Sequence, residues 1–148
     1  MGGSEGFQQL KELAALLKAA VGASRPPCDN RWVPSNLQVG LTGKIVSPDI
    51  YIAVGLSGSI QHMTGCAQSK SIIAINKDPK AFIFNQADFG AVGDWKQVLP
   101  AFRDKLKELL AASGVTIDYV GSQSAGSAYF ADPEHEGYPG LGIDMIQT

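Results

Sequence analysis

One segment constrains the fold of this chain more than any other. Ile50-Tyr51-Ile52-Ala53-Val54 is a continuous apolar run that stops at Gly55. An apolar run of this length without alternation is the pattern of a strand buried on both faces, as in a parallel sheet. Gly55-Leu56-Ser57-Gly58-Ser59 comes next, and Ile60-Gln61-His62-Met63 reads as the first turn of a helix. A second buried strand, Ser71-Ile72-Ile73-Ala74-Ile75, closes on Asn76-Lys77-Asp78-Pro79, and 87–93 reads as a third, short strand. Helical periods flank these runs. Phe7, Leu10, Leu13, Ala14, Leu16 and Leu17 form one stripe, in a helix expected from Glu5 to Val21 with Ser4 as N-cap and Gly22 just past its end. Val98, Leu99, Phe102, Leu106, Leu109 and Leu110 form another, in a helix expected from Trp95 to Ala112. Residues 23–36 hold Pro26, Pro27 and Pro34 and are expected to be loop. Strands alternating with helices give the α/β class, with a mostly parallel sheet flanked by helices.

From Ser113 onward the patterning fades. The expected division is a domain over 1–112 and a C-terminal extension over 113–148, with Val115–Val120 as the segment of strand composition and the remainder as loop or tail. The chain of 148 residues is long enough for one domain with a core. Twelve basic residues against fourteen acidic ones leave a net charge of -2, which argues against nucleic-acid binding by bulk charge. No apolar run approaches the roughly 20 residues of a membrane span, and the first residues carry no secretory pattern. Cys28 and Cys66 are far apart, so reduced thiols are expected, with neither a metal site nor a disulfide.

Few residues carry chemistry by pattern alone. The Gly55–Ser59 loop lies between a buried strand and a helix start, where free N–H groups and the helix dipole favour anions. It matches neither of the common phosphate-binding glycine motifs, and a plain structural turn fits it equally well. His62 follows this loop, Arg25 sits in a proline-closed loop, and Thr42 lies between Gly40 and Gly43. Asp78 and Asp88 are expected at the carboxyl ends of strands, where ligands of open α/β sheets lie, although turn-forming aspartates fit the same positions. No Ser-His-Asp or Cys-His constellation stands out.

Longer motifs are more specific. Val21-Gly22-Ala23-Ser24-Arg25-Pro26, 37–46 (LQVGLTGKIV), 51–62 (YIAVGLSGSIQH), 74–79 (AINKDP) and 87–90 (ADFG) closely resemble the C-terminal FAD-binding domain of the electron transfer flavoprotein alpha subunit, in the same order, from Glu5 to Leu110. The resemblance implies a Rossmann-like domain that holds FAD and carries electrons, without bond-making catalysis of its own. It implies an electron transfer flavoprotein beta subunit as partner, a flavin dehydrogenase as donor and a quinone reductase or similar acceptor. It places such a protein in the bacterial or archaeal cytoplasm or the mitochondrial matrix. Carried over by position, Ser24 and Arg25 lie near the isoalloxazine, Thr42 near N5 and His62 near the C2 carbonyl. Gln38, Val39, Gly40 and Gly43 line the ring and ribityl chain. Ser57, Gly58, Ser59 and Gln61 hold the ribityl and pyrophosphate, and Asn76 and Asp88 hold the adenosine half.

The chain also departs from the family. Leu41 stands where glutamine is usual, and the strand and Gly-Gly-Arg-Gly segment that usually precede the first helix are missing. The sheet is therefore expected to lack its usual first strand, and Val115–Val120 is the expected replacement. A truncated, non-redox nucleotide-binding or assembly module that no longer holds flavin is the competing expectation.

Overall fold

The fold was described from a computed structural model, covering residues 3–114 with side chains and Ile143–Gln147 as backbone. The first helix, α1, spans Glu5–Leu17 and buries Phe7, Leu10, Leu13, Ala14 and Leu17, the expected stripe. Ser4 is its N-cap, but its side chain makes no capping bond. The helix ends at Lys18, which turns left-handed at φ 50°, so the chain leaves earlier than expected. Ala20–Ala23, assigned by pattern to the helix, is instead strand β1. Alanine favours a helix intrinsically, but sheet pairing outweighs that small preference here.

Residues 23–36 are not plain loop. Helix α2 spans Arg25–Asp29 with prolines at its first positions, where a missing N–H costs nothing, and a 3-10 turn covers Ser35–Leu37. Strand β2 (Ile50–Val54), helix α3 (Ile60–Met63), strand β3 (Ser71–Asn76) and strand β4 (Phe89–Val92) follow the expected order. A 3-10 turn at Phe82–Asn85 joins the last two strands. Helix α4 runs Trp95–Ser113, capped by Asp94, whose Oδ1 accepts from Lys96 N at 2.9 Å. Leu99 is its buried anchor, whereas Leu109, counted in the apolar stripe, is exposed.

The sheet has five strands in the order β1-β5-β2-β3-β4, every adjacent pair parallel. Strand β5 is Ile143–Gln147, in the segment expected to be loop or tail. It fills the gap between β1 and β2, pairing Ala20 with Asp144 on one side and Ile50 with Ile143 on the other. The sheet is thus completed from the C-terminal region as expected, but by other residues, and Val115–Val120 lies outside the described ones. A central strand satisfies main-chain groups on both neighbours, which a gap would leave unpaired in the core.

Strand alternation divides the core in two. Ile52, Val54 and Ile75 face α1 and Leu99. Tyr51, Ala53, Ile72 and Ala74 face the other way, against Val39, Leu56, Met63 and Ile83. The second face packs against the loops at 37–46 and 55–66.

Candidate functional site

Register aligns the carboxyl ends of the strands. Ala23 and Val54 both pair with Gln147, Val54 also pairs with Ile75, and Asn76 pairs with Val92. Ser24, Gly55–Ser59, Asn76 and Asp94 therefore leave the sheet on one side, where ligands of open parallel sheets lie.

Two loops on that side are tied into one seam. Residues 38–44 fold back on themselves: Lys44 N donates to Gln38 O at 2.8 Å, Gly43 N to Gly40 O at 3.0 Å and Gly40 N to Lys44 O at 3.1 Å. Gln38 Nε2 donates to Thr42 Oγ1 at 2.8 Å, which leaves the threonine hydroxyl its own hydrogen to donate. Val39 N donates to Ala23 O at 2.8 Å, anchoring the loop to β1. Leu41 N donates to Gln61 O at 2.7 Å, anchoring it to α3. The Leu41 side chain is exposed, so the departure at this position leaves the main-chain tie intact.

The glycines of the seam serve this packing. Gly40 has φ 141°, and a Cβ there would come within 3.0 Å of Gln61 O. A Cβ on Gly65 would strike the main chain of Gly40, and one on Gly58 (φ 84°) would strike the main chain of Ile83. The reading of these glycines as turn and close-packing residues therefore holds; the space they leave is taken by protein. Helix α3 is one turn long, and its amides are engaged: Met63 N by Ser59 O at 2.9 Å and His62 N by Ser59 Oγ at 3.4 Å. So short a helix contributes little dipole to the Gly55–Ser59 loop.

His62 is the buried polar residue of the seam, 5% exposed. Its Nε2 lies 2.6 Å from the hydroxyl of Tyr51, itself fully buried on β2. Its Nδ1 is sealed from solvent. Burial lowers its pKa from the ordinary 6.5 to about 4, and a hydrogen bond with the main chain of Val39 acts the other way. The ring is neutral at physiological pH.

The remaining expected residues divide. Ser24 is buried at the end of β1. Ser57, Ser59, Gln61 and Thr42 present their polar groups at the exposed mouth of the seam. Asn76 is buried and already bonded at both ends of its amide, donating to Leu56 O at 2.8 Å and accepting from Asp78 N at 2.9 Å. Arg25 is exposed on α2 and paired with Asp29 at 3.1 Å, so its charge is partly neutralised. Asp88 requires a correction. It precedes β4 and caps the opposite, amino end of the sheet, accepting from Ile72 N at 2.8 Å through Oδ2. The aspartate at the carboxyl end is Asp94, after Gly93, whose N donates to Asn76 O at 2.9 Å. Sequence reasoning passed over it because the strand was drawn to span both ends of 87–93, and its N-cap position before α4 was the available signal. An open cleft of about 550 Å³ beside α2, lined by Cys28, Asp29, Arg31, Trp32, Val33, Pro34 and Ser35, includes none of the expected site residues.

Comparison with known proteins agrees with the resemblance. Residues 1–67 match the family described as the electron transfer flavoprotein FAD-binding domain. The electron transfer flavoprotein subunit alpha of Bacillus subtilis is 56% identical over 105 residues, 71% of this chain and 32% of the relative. The Paracoccus denitrificans subunit alpha is 52% identical over 72% of this chain and 34% of the relative. The mitochondrial subunit alpha of Arabidopsis thaliana is 51% identical over 70% and 29%. The chain spans about a third of the length of these relatives. Over residues 1–67, which include the seam of two loops at the carboxyl ends of a parallel sheet, the chain matches the electron transfer flavoprotein FAD-binding domain, and the relatives it is similar to are alpha subunits.

Proposed function

We propose that the chain holds FAD along the seam and carries electrons, as part of an alpha-type subunit. The observation that carries this reading is the seam itself: Thr42, Ser57, Ser59 and Gln61 are exposed together at the carboxyl ends of a parallel sheet, within the residues that match the FAD-binding family. The donor set at the mouth suits a flavin nucleotide: Thr42 with a hydroxyl hydrogen to give, and Ser57, Ser59 and Gln61 for a ribityl and pyrophosphate chain.

In this reading Thr42 sits near N5 and His62 near the pyrimidine edge, where donors stabilise added electron density. Gln38, Val39, Gly40 and Gly43 shape the wall of the ring site, and Gly58 shapes the loop beneath the phosphates. Asn76 bounds the adenosine half together with Asp94, in place of Asp88. Ser24 and Arg25 approach from the end of β1, with the Arg25 field moderated by Asp29. Bound FAD would supply reversible one- and two-electron chemistry; the protein binds it, orients it and sets its electrostatics.

A beta-type subunit is the proposed partner, a flavin dehydrogenase the donor and a quinone reductase the acceptor, in the cytoplasm or mitochondrial matrix. Leu41, Ile45 and Ile60 are exposed apolar side chains along the seam, which supports a protein covering it. No helix among the described residues is long and apolar enough to cross a membrane. Titrating the purified chain with FAD, with and without a beta subunit, tests the reading. Saturable flavin binding with a visible spectrum supports it, and no binding in either case favours a non-redox module.

A further inference from the structure

The glycine loop after β2 is held by residues far from it in the chain. Gly55 turns left-handed at φ 69°, and its N donates to Ile75 O at 2.8 Å. The next two carbonyls are both taken by the connection from β3 to β4. Leu56 O accepts from Asn76 Nδ2 at 2.8 Å, and Ser57 O accepts from Ile83 N at 3.0 Å. Asn76 is 9% exposed, and its Oδ1 accepts from Asp78 N at 2.9 Å. The two partners fix which end of the amide is which. A carbonyl only accepts and a main-chain N–H only donates, so a flipped amide would lose both bonds.

Peptide planarity carries this clamp to the other side of the loop. In a trans peptide the C=O of one residue and the N–H of the next point in opposite directions. No peptide bond among the described residues is cis. With Leu56 O and Ser57 O drawn toward Asn76 and Ile83, the N–H groups of Ser57 and Gly58 point away from them. Neither N–H closes a hydrogen bond among the described residues. Ser57 is exposed, whereas Gly58 is pressed against Ile83 on the clamped side. Two adjacent N–H groups turned to the same side suit an anion.

We infer that Asn76 is a positioning residue of the glycine loop: by holding Leu56 O, it keeps the Ser57 and Gly58 N–H groups turned toward a bound anion. Its amide acts through the loop rather than on the ligand. The inference rests on the flavin reading only for the identity of the anion, which would then be the pyrophosphate of FAD.

Amide NMR of the full chain, titrated with inorganic pyrophosphate, tests the inference. The expected result is saturable movement of the Ser57 and Gly58 N–H signals. The Asn76 side-chain hydrogen bonded to Leu56 O should exchange slowly throughout. Unmoved Ser57 and Gly58 signals overturn the inference. An Asn76 side-chain signal that moves more than theirs overturns it also, because the amide would then touch the anion itself. N76L roughly keeps the volume and adds no charge, but leaves Leu56 O and Asp78 N without their partner. Folded N76L should bind pyrophosphate about tenfold more weakly, the size of one lost hydrogen bond. Its affinity for riboflavin, which carries no phosphate, should match that of the parent. Unchanged pyrophosphate affinity overturns the inference, and so does an equal loss for both ligands, which a merely structural role would give. If N76L does not fold, the parent titration decides alone. A chain that binds pyrophosphate as expected but neither riboflavin nor FAD sinks the flavin reading and leaves the Asn76 assignment standing.

Discussion

The two halves of the sheet are built differently. On one side, β2, β3 and β4 lie next to one another in the order the chain makes them. Each connection is short, and β2 and β3 are apolar runs visible by inspection. On the other side, β1 and β2 are consecutive in the chain but stand apart, with β5 from the C-terminal region between them. The first half closes through local contacts. The second must bring together strands far apart in the chain before its central strand can pair, and the entropy of that closure is lost before the hydrogen bonds are gained. The site draws on both halves: the seam hangs from β2, while its anchor at Val39 reaches across to β1.

Deleting residues 143–148 is the severest way to break the comparison. It strips both inner strand edges of their partner, and the loss should equal the whole stability of a domain of this size, about 5 kcal/mol or more. Circular dichroism melting should show no cooperative transition. A shortened chain that melts like the full one would show that the two halves do not depend on β5.

A Gly58→Ala change strikes the local half alone. It places a Cβ at φ 84° against the main chain of Ile83, and left-handed strain with overpacking together cost about 4 kcal/mol. Urea unfolding measures this, and an alanine variant as stable as the parent would mean that the loop gives way.

The pH dependence sharpens the comparison through His62. Its folded pKa, about 4, lies below the unfolded 6.5, so the unfolded chain binds the extra proton first. The contribution is fully present above pH 6.5 and is lost progressively as pH falls toward 4, by about 3 kcal/mol. Chemical denaturation at pH 7 and pH 4.5 should show the loss, and a His62→Gln variant should lose less. Equal slopes in both proteins would put the sensitivity elsewhere.

Arg25→Ala should have the smallest effect. The side chain is exposed and shares its charge with Asp29, so folding stability should change by less than about 1 kcal/mol. With FAD bound, the flavin reduction potential should fall, and removing Asp29 instead, with Arg25 kept, should raise it. Potentiometric titration checks both, and equal midpoints would place Arg25 outside the site.

The contrast between the halves also accounts for what could be read in advance. Ile50–Val54 and Ser71–Asn76 were legible because strands buried on both faces must be apolar throughout. Their glycine loop was legible as a turn or a site, since close approach of two chains and close approach of a ligand both exclude a Cβ. Asp88 was misplaced because a period-two pattern gives no direction to a four-residue strand, and only pairing with Ile73 to Asn76 sets which aspartate stands at which end. The tie of Tyr51 to His62 joins two cores of the reading, strand and loop, that no local spacing connects.

By itself the sequence determined the α/β class, the parallel core of β2 and β3, the two amphipathic helices and the family resemblance, because local periodicity and long motifs are properties of contiguous residues. Tertiary structure alone decided that Ala20–Ala23 is a strand, that Ile143–Gln147 is its central neighbour, and that His62 keeps a neutral ring against Tyr51. Those outcomes rest on pairing and burial between distant residues, whose free energy outweighs local preference and leaves no periodic trace in the chain.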